Sequence, residues 1–460
     1  MAKFRVPKIV KEFSDHFLKR GFSLYIVGGA VRDYYLGIKN SDYDFATDAL
    51  PQEVQKLFRR VIPTGIKHGT VTVLFKGATF EVTTFRIDGT YEDLRRPSSI
   101  TFVRSLEEDL KRRDFTINAL AVEASTGLLI DQHEGLKDLD KKVIRAIGEP
   151  LKRFGEDALR IMRGCRLVAQ LEFTLEAQTL EAMTQLATNL TEVSGERIRA
   201  ELFKILESRR PSLGLLALDA CGALEVIIPE LKRGDGVEQK GFHHQDVMHH
   251  NFATCDAAPQ TKSIVRLAAL LHDIGKVATK KESPEGEITF HNHEIVGEAE
   301  ALAILERLKC SNEEKERVSN LIRNHMFNYS SEWSDGAVRR FINRVGLDNL
   351  EDLYDLRLAD QIAIHGQANP ANIIALKERI EDVLAKSRAL TVKDLAINGN
   401  DLAALEIPRG PVMGLILNEL LETVLDDPHQ NERERLLTIA QNFYATRVAF
   451  DHQPAPPKQS

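Results

Sequence analysis

The chain has no apolar run approaching the roughly 18 residues that a membrane-spanning helix needs. A membrane partner is therefore not expected, and a soluble cytoplasmic protein is. The N-terminal segment MAKFRVPKIVKEFSDHF has neither the apolar core nor the small-residue cleavage site of a secretory signal. Glu12 and Asp15 also set it apart from acid-poor transit peptides. Cysteine is scarce: Cys165, Cys221, Cys255 and Cys310 lie far apart and none forms a C-x-x-C pair. Disulfides or a cysteine-held zinc are not expected, and the four thiols read as free and buried. Net positive charge is missing too. Against 61 Lys+Arg stand 68 Asp+Glu, a net of −7 over 460 residues, which taken alone argues against nucleic acid.

That average hides an asymmetry. Residues 1–210 hold 34 Lys+Arg and 30 Asp+Glu, a net of +4, so residues 211–460 hold the other 27 and 38, a net of −11. A phosphate-binding surface is thus expected in the first half. Hydrophobic periodicity divides the chain in the same way. After an amphipathic first helix come short apolar or alternating segments, Leu24–Val27, Tyr43–Ala46, Thr70–Phe75 and Phe80–Phe85, which read as strands. From about residue 146 strand signals disappear and helical spacing dominates, as in Ala158–Leu171 and Arg197–Leu206. The fold class is an α+β head followed by an all-α multi-helix body.

Two clusters of residue types carry chemistry in the head. Gly28-Gly29-x-x-Arg32-Asp33 joins a strand to a helix. Its glycines permit close backbone approach to a triphosphate, and the helix N-terminus offers unpaired N–H groups. Asp42-x-Asp44 follows. On a strand, residues two apart share a face, so these carboxylates converge and repel unless a divalent cation lies between them. Mg²⁺ favours one or two carboxylates plus substrate phosphates. Glu81, on a nearby strand, offers a third carboxylate or is simply an exposed strand acid.

The segments VGGAVRD (27–33), SDYDFATDALP (41–51), PTGIKHGTVTV (63–73), RRPSSITFVRSLEEDLKRRDFTINALA (95–121) and FGEDALRIMRGCRLVAQLEF (154–173) resemble the bacterial class II tRNA nucleotidyltransferases. These are the CCA-adding members of the polymerase-β-like superfamily. The resemblance implies that Asp42 and Asp44 hold Mg²⁺ and are the catalytic carboxylates, and that Gly29, Arg32 and Arg113 bind nucleotide. It further implies that Glu156-Asp157-x-x-Arg160 reads the base, with Arg163 and Arg166 on the same helix. Three residues apart on a helix, Asp157 and Arg160 would be neighbours on one face. An Asp acceptor beside an Arg donor matches cytosine and adenine, which show an amine next to a ring-nitrogen acceptor. It rejects guanine and uracil, which show a carbonyl there. The intact charged loop at 88–104, with Arg95-Arg96-Pro97, is the family feature that accompanies addition of the terminal A.

A third cluster lies further on. His243, His244, His249, His250, His272-Asp273, His291, His293, His325 and Asp360 fall within residues 241–365, in a chain with 14 His. Leu270-Leu271-His272-Asp273-Ile274-Gly275-Lys276 resembles the signature of HD-superfamily phosphohydrolases. That resemblance implies His250, His272, Asp273 and Asp360 as ligands of one metal, with His293 and His325 serving a second. Imidazole with carboxylate suits Mn, Fe, Ni, Co or Zn better than Mg.

The expected organisation is a polymerase-β-like nucleotidyltransferase head (1–145), a helical neck and body for base and RNA binding (146–240), an HD-type helical domain (241–365), a helical tRNA-binding tail (366–452) and a disordered end (453–460). In the neck, Arg197, Arg199 and Lys204 either face RNA backbone or belong to a solvated helix face; in the tail, Ile407-Pro408-Arg409-Gly410-Pro411 opens a helix. The resemblance implies a template-independent enzyme that adds CMP, CMP and AMP from CTP and ATP to the tRNA 3′ end, releasing pyrophosphate. Three alternatives stand beside it. One is an A-adding enzyme with a separate CC-adding partner. Another is a metal phosphohydrolase with a vestigial head, and the last a non-catalytic tRNA-binding protein. The oligomeric state is left open.

Overall fold

The computed structural model describes residues 4–39, 42–89, 99–239, 245–386 and 390–448. The stretch 90–98 of the charged loop, His243, His244 and the end at 453–460 lie outside the described residues. The first helix, Lys8–Leu18, buries Val10, Phe13 and Phe17 on one stripe. Phe13 is the centre of an aromatic cluster, with ring centroids 4.7 Å from Phe80, 4.8 Å from Phe58 and 5.3 Å from Phe45. Truncating such a side chain to alanine would cost about 3–5 kcal/mol, because the rings around it cannot collapse into the void.

Nine strands follow among the described residues from 24 to 130. They are β1 (Leu24–Val27), β2 (Asp44–Thr47), β3 (Val61–Gly65), β4 (Thr70–Phe75), β5 (Ala78–Thr84), β6 (Arg86–Asp88), β7 (Ile100–Phe102), β8 (Ala121–Glu123) and β9 (Leu129–Ile130). Seven form one sheet in the order β3-β4-β5-β2-β1-β8-β9. Its pairs are antiparallel except β2 with β5, which run parallel and place Asp44 opposite Glu81. Antiparallel β1 brings Val27 opposite Asp44, so the Gly28 turn and the start of β2 meet at one end of the sheet. β6 and β7 pair as a separate hairpin around the charged loop. Asp42 precedes β2, so the strand pleat does not set its direction as the D-x-D spacing predicted.

Beyond residue 130 the described regular elements are helical, with two small exceptions. Val143–Ile144 pairs with Thr174–Leu175, and Lys281–Glu282 with Ile288–Thr289. Two-residue strands leave no period-2 signal in a sequence. The helix Leu159–Leu171 packs on Gly195–Leu206 and Pro211–Ala220. Val247–Ala257, Ser263–Leu271, His293–Arg307, Asn312–Asn324 and Leu350–His365 form the next layer, and Pro411–Asp426 anchors the last. One contiguous apolar core runs through all of them. No helix among the described residues is long and apolar enough to cross a membrane.

Candidate active site and a buried histidine cluster

At the end of the sheet where β1 stops and β2 starts, the chain turns at Gly28 with φ +72° and ψ −141°, a conformation that essentially only glycine adopts. The turn delivers Gly29 to the first turn of the helix Gly29–Tyr35 and opens a cavity of about 760 Å³. Gly28, Gly29, Arg32, Asp44 and Glu81 line its floor, while Arg113, Asp157, Arg160, Arg163 and Arg166 line its walls. Head and neck therefore share one cleft. Asp42 is exposed beside it, near enough for its charge to act on Asp44. Partial burial, then the charges of Asp42 and Glu81, hold the Asp44 carboxyl above its ordinary value, with Arg113 opposing. Glu81 is thus the third carboxylate of the group.

The arginines are held in place by acids that sequence reasoning did not single out. Arg163 forms a fork on Asp114, with Nε at 2.7 Å and Nη2 at 2.6 Å. Burial alone would raise the Asp114 carboxyl, but the Arg163 charge and bonds from Arg163, Asn118 and the Phe115 N–H hold it far below the usual range. Asp109 likewise stays low despite burial, because Arg112 and Arg113 flank it. Arg32 donates from Nη1 to Asn118 at 2.7 Å and pairs with Asp33 at 2.7 Å. Arg166 pairs with Glu201 of the neck helix at 2.7 Å. The arginine stripe is therefore a set of pre-oriented ion pairs along the cavity wall.

The base-reading pair differs from its expectation. Asp157 has extended backbone, φ −147° and ψ 104°, at the break between the helices Pro150–Glu156 and Leu159–Leu171. It is not on one helical face with Arg160. Its Oδ1 accepts from the Leu159 N–H at 3.1 Å and its Oδ2 from Arg197 Nη2 at 2.9 Å. Arg160 turns to Glu156, the Arg153 carbonyl and the Arg112 carbonyl, at 2.6, 2.9 and 3.1 Å. Both still line the same cavity. Arg199 and Lys204, candidates for RNA backbone, are engaged within the protein: Arg199 on the Lys309 carbonyl and Glu314, Lys204 on Glu201.

The second constellation also assembles. His250, His272, Asp273, His293, His325 and Asp360 are all nearly buried and converge from five elements. His250 Nε2 lies 3.3 Å from His272 Nε2 and 3.3 Å from Asp360 Oδ1. His293 Nε2 lies 3.2 Å from His325 Nε2 and 3.3 Å from Asp273 Oδ1. His272, His293 and His325 each donate Nδ1–H to a backbone carbonyl, of Ala269, Phe290 and Ile322. That fixes the tautomer and turns the Nε2 lone pairs inward, toward Asp273. A second cavity of about 370 Å³ opens onto this cluster between Lys276, Phe290, Met326 and Arg357. His249 is not a member, since it bonds Asp246 at its own helix start.

Fold and cleft define a nucleotidyl-transfer head joined to a helical RNA-binding body. Residues 24–145 match the family model of the poly A polymerase head domain, 172–234 that of the RNA and SrmB-binding site of polymerase A, and 289–440 that of tRNA nucleotidyltransferase domain 2. The CCA-adding enzyme of Enterococcus faecalis is 35% identical over 92% of this chain and 92% of its own length. That of Lactiplantibacillus plantarum is 35% identical over 95% and 96%. The crystal structure of the Bacillus stearothermophilus CCA-adding enzyme in complex with CTP superposes with a TM-score of 0.69 at 29% identity, over 96% of this chain and 98% of that one. The chain belongs to the CCA-adding enzymes, the bacterial class II tRNA nucleotidyltransferases.

Proposed function

We propose that the protein adds CMP, CMP and AMP in turn to the 3′ end of tRNA, taking CTP and ATP and releasing pyrophosphate without a nucleic-acid template. The single observation that carries this is the shared cleft, in which Asp44 and Glu81 face Asp157 and the arginines. An all-oxygen donor set with crowded negative charge fits a hard divalent cation. Asp42 and Asp44 would hold Mg²⁺, which when bound helps activate the attacking 3′-hydroxyl and stabilise the leaving pyrophosphate. Gly29, Arg32 and Arg113 hold the triphosphate. Asp157, with Arg160, presents the acceptor and donor that match cytosine and adenine edges. Arg163 and Arg166 extend the cationic wall.

On this reading the head is residues 1–145 and the base-reading neck is 146–240. The tail, 366–452, grips tRNA, with the exposed Arg409 just before the helix Pro411–Asp426. The test is incubation with tRNA lacking its last three nucleotides or only its last one, with CTP and ATP supplied separately and together. Extension of both substrates is expected. If only tRNA ending in CC is extended, the protein is an A-adding enzyme instead.

The histidine cluster favours a second reading alongside the first, that residues 241–365 form an HD-type domain holding a transition metal. What supports it is the convergence of four imidazole Nε2 atoms on two buried carboxylates, with the Nδ1–H of His272, His293 and His325 held by backbone carbonyls. His250, His272, Asp273 and Asp360 are the proposed ligands. Imidazole and carboxylate together suit Mn, Fe, Ni, Co or Zn. Elemental analysis of protein purified without chelators, before and after His272→Ala, tests it. A hydrolytic role follows only if release of phosphate from phosphate esters disappears with the same substitution.

A further inference from the structure

We propose that Thr70 and Thr83 form the ribose site for the RNA that accepts the nucleotide, binding the 2′-hydroxyl of the tRNA 3′-terminal residue. This deepens the CCA-adding reading and rests on it.

The floor of the cleft is ordered across the sheet, where β2 lies between β1 and β5. The Gly28 turn at the end of β1, with Arg32 behind it, is on one side of Asp44. On the other side come Glu81, opposite Asp44 on β5, and then β4, which pairs with β5. Thr83 follows Glu81 two residues along β5, so both side chains rise from the same face, roughly 7 Å apart along the strand. Thr70 stands directly opposite Thr83 on β4. Both threonines line the cleft and are half-buried. Phe80 and Val82, which alternate with Glu81 and Thr83, are buried on the other face.

The chemistry of transfer assigns the two sides. In an in-line displacement the attacking oxygen and the leaving pyrophosphate lie on opposite sides of the phosphorus. With the triphosphate on Gly29, Arg32 and Arg113, toward β1, the terminal ribose of the acceptor approaches over β5 and β4. What it meets there is a pair of hydroxyls, Oγ1 to Oγ1 at 3.0 Å. That bond uses one of the two O–H hydrogens and leaves the other, with lone pairs on both oxygens, for a ligand. Such a pair can donate to a ribose hydroxyl and accept from it, and the 2′-hydroxyl is the group that separates RNA from DNA. Arg86 stands at the rim, bonded to the His68 carbonyl, and places positive charge where the phosphates of the strand would run. A neighbouring pair gives the contrast: Thr64 and Thr72 also bond each other, at 2.9 Å, but neither lines the cleft.

The test is AMP addition to two acceptors, tRNA ending in CC with either a ribose or a 2′-deoxyribose at its last nucleotide. The proteins compared are the wild type, Thr70→Val, Thr83→Val and the double variant, since valine keeps the branched shape and removes only the hydroxyl. The wild type should prefer the ribose acceptor by roughly tenfold in kcat/KM, the scale for hydrogen bonds to one neutral hydroxyl. In the double variant the ribose acceptor should lose about that factor and the deoxyribose acceptor little, so the preference should shrink to about twofold or less. KM for ATP should stay near its wild-type value, because the triphosphate is held on the other side of Asp44. No preference in the wild type, a preference that survives the double substitution, or an equal loss on both acceptors overturns the proposal. If thermal unfolding shows that the double variant does not fold, Thr83→Val and Thr83→Ser decide. The preference should shrink in the first and persist in the second, and equal behaviour of the two overturns the proposal. A wild-type protein that extends neither acceptor, nor tRNA lacking its last three nucleotides, overturns the transferase reading instead.

Discussion

The transferase cleft and the histidine cluster both gather anionic oxygen, and they solve the same electrostatic problem in opposite ways. In the transferase cleft, Asp42, Asp44 and Glu81 stand at an open sheet end, and the positive charge across from them is locked in ion pairs with Asp109, Asp114 and Glu201. In the helical body, Asp273 and Asp360 are buried among imidazoles whose outer nitrogens are pinned to backbone carbonyls. The open site leaves room for a large, charged substrate to complete its coordination. The closed one supplies most of its own ligands and admits only a small cavity. The difference teaches that exposed carboxylates suit a hard, exchangeable cation, whereas buried carboxylates ringed by oriented imidazoles would suit a cation held more tightly.

Separate substitutions at the two sites should break the comparison most sharply. Asp44→Ala is expected to reduce nucleotide addition by roughly 10³-fold or more, since it removes the charge that organises the reacting oxygens. Metal content in the helical body should be unchanged. A primer-extension assay with parallel elemental analysis reads both, and a parallel loss of metal would show that the sites are not independent. In the other direction, Asp273→Ala leaves Lys276 and the surrounding imidazoles without their buried counter-charge. Destabilisation of about 3–5 kcal/mol is expected in denaturant unfolding, the scale for removing one partner of a buried ion pair.

Acidity should sharpen the contrast next. In metal-free protein, burial would lower the His250 imidazole from 6.5, but bonds to Asp273 and Asp360 raise it to about 9. A group raised on folding stabilises fully below its unfolded value and loses that contribution as pH rises through its folded value. Chelator-treated protein should therefore lose about 3 kcal/mol between pH 6.5 and 9, at about 1.4 kcal/mol for each pH unit between the two values. Metal-loaded protein should not, because the metal replaces the proton. Thermal unfolding across that range with and without chelator gives the answer. The smallest effect belongs to Gly28→Ala. A Cβ there would meet Arg113 and Asp44 at ordinary contact distances of 3.7 and 3.8 Å, so backbone strain of about 1–3 kcal/mol is the main cost. The midpoint of unfolding should fall by a few degrees, with weaker nucleotide binding but retained metal in the body.

What could be read from sequence follows from range. The Gly28 turn, strand β1 and strand β4 are local, and their spacing predicted them within a residue. The same holds for the helix Leu159–Leu171, expected from 158. The clusters Asp42-x-Asp44 and His272-Asp273 were legible because their chemistry lies in adjacent residues. The pairing of Asp44 with Glu81 was not, since a parallel register between strands separated by two others is set by the whole sheet. Asp114 and Asp109 carry no motif of their own in the sequence, and only packing shows them buried beside arginines. The i,i+3 expectation for Asp157 and Arg160 failed because the helix starts two residues later than that pair requires. No period in the sequence announces which way an imidazole turns.

Gly195 opens the neck helix where it touches the end of His293–Arg307, and any Cβ there would collide with the Arg307 carbonyl. Two residues along is Arg197, which holds Asp157, and two further is Arg199, fastened to the Lys309 carbonyl and Glu314. The two helices thus meet at this point with no room for a side chain. A side chain added at that point would tilt the base-reading wall and the helix that begins at His293 together, so sequence drift at this seam is constrained by both halves at once.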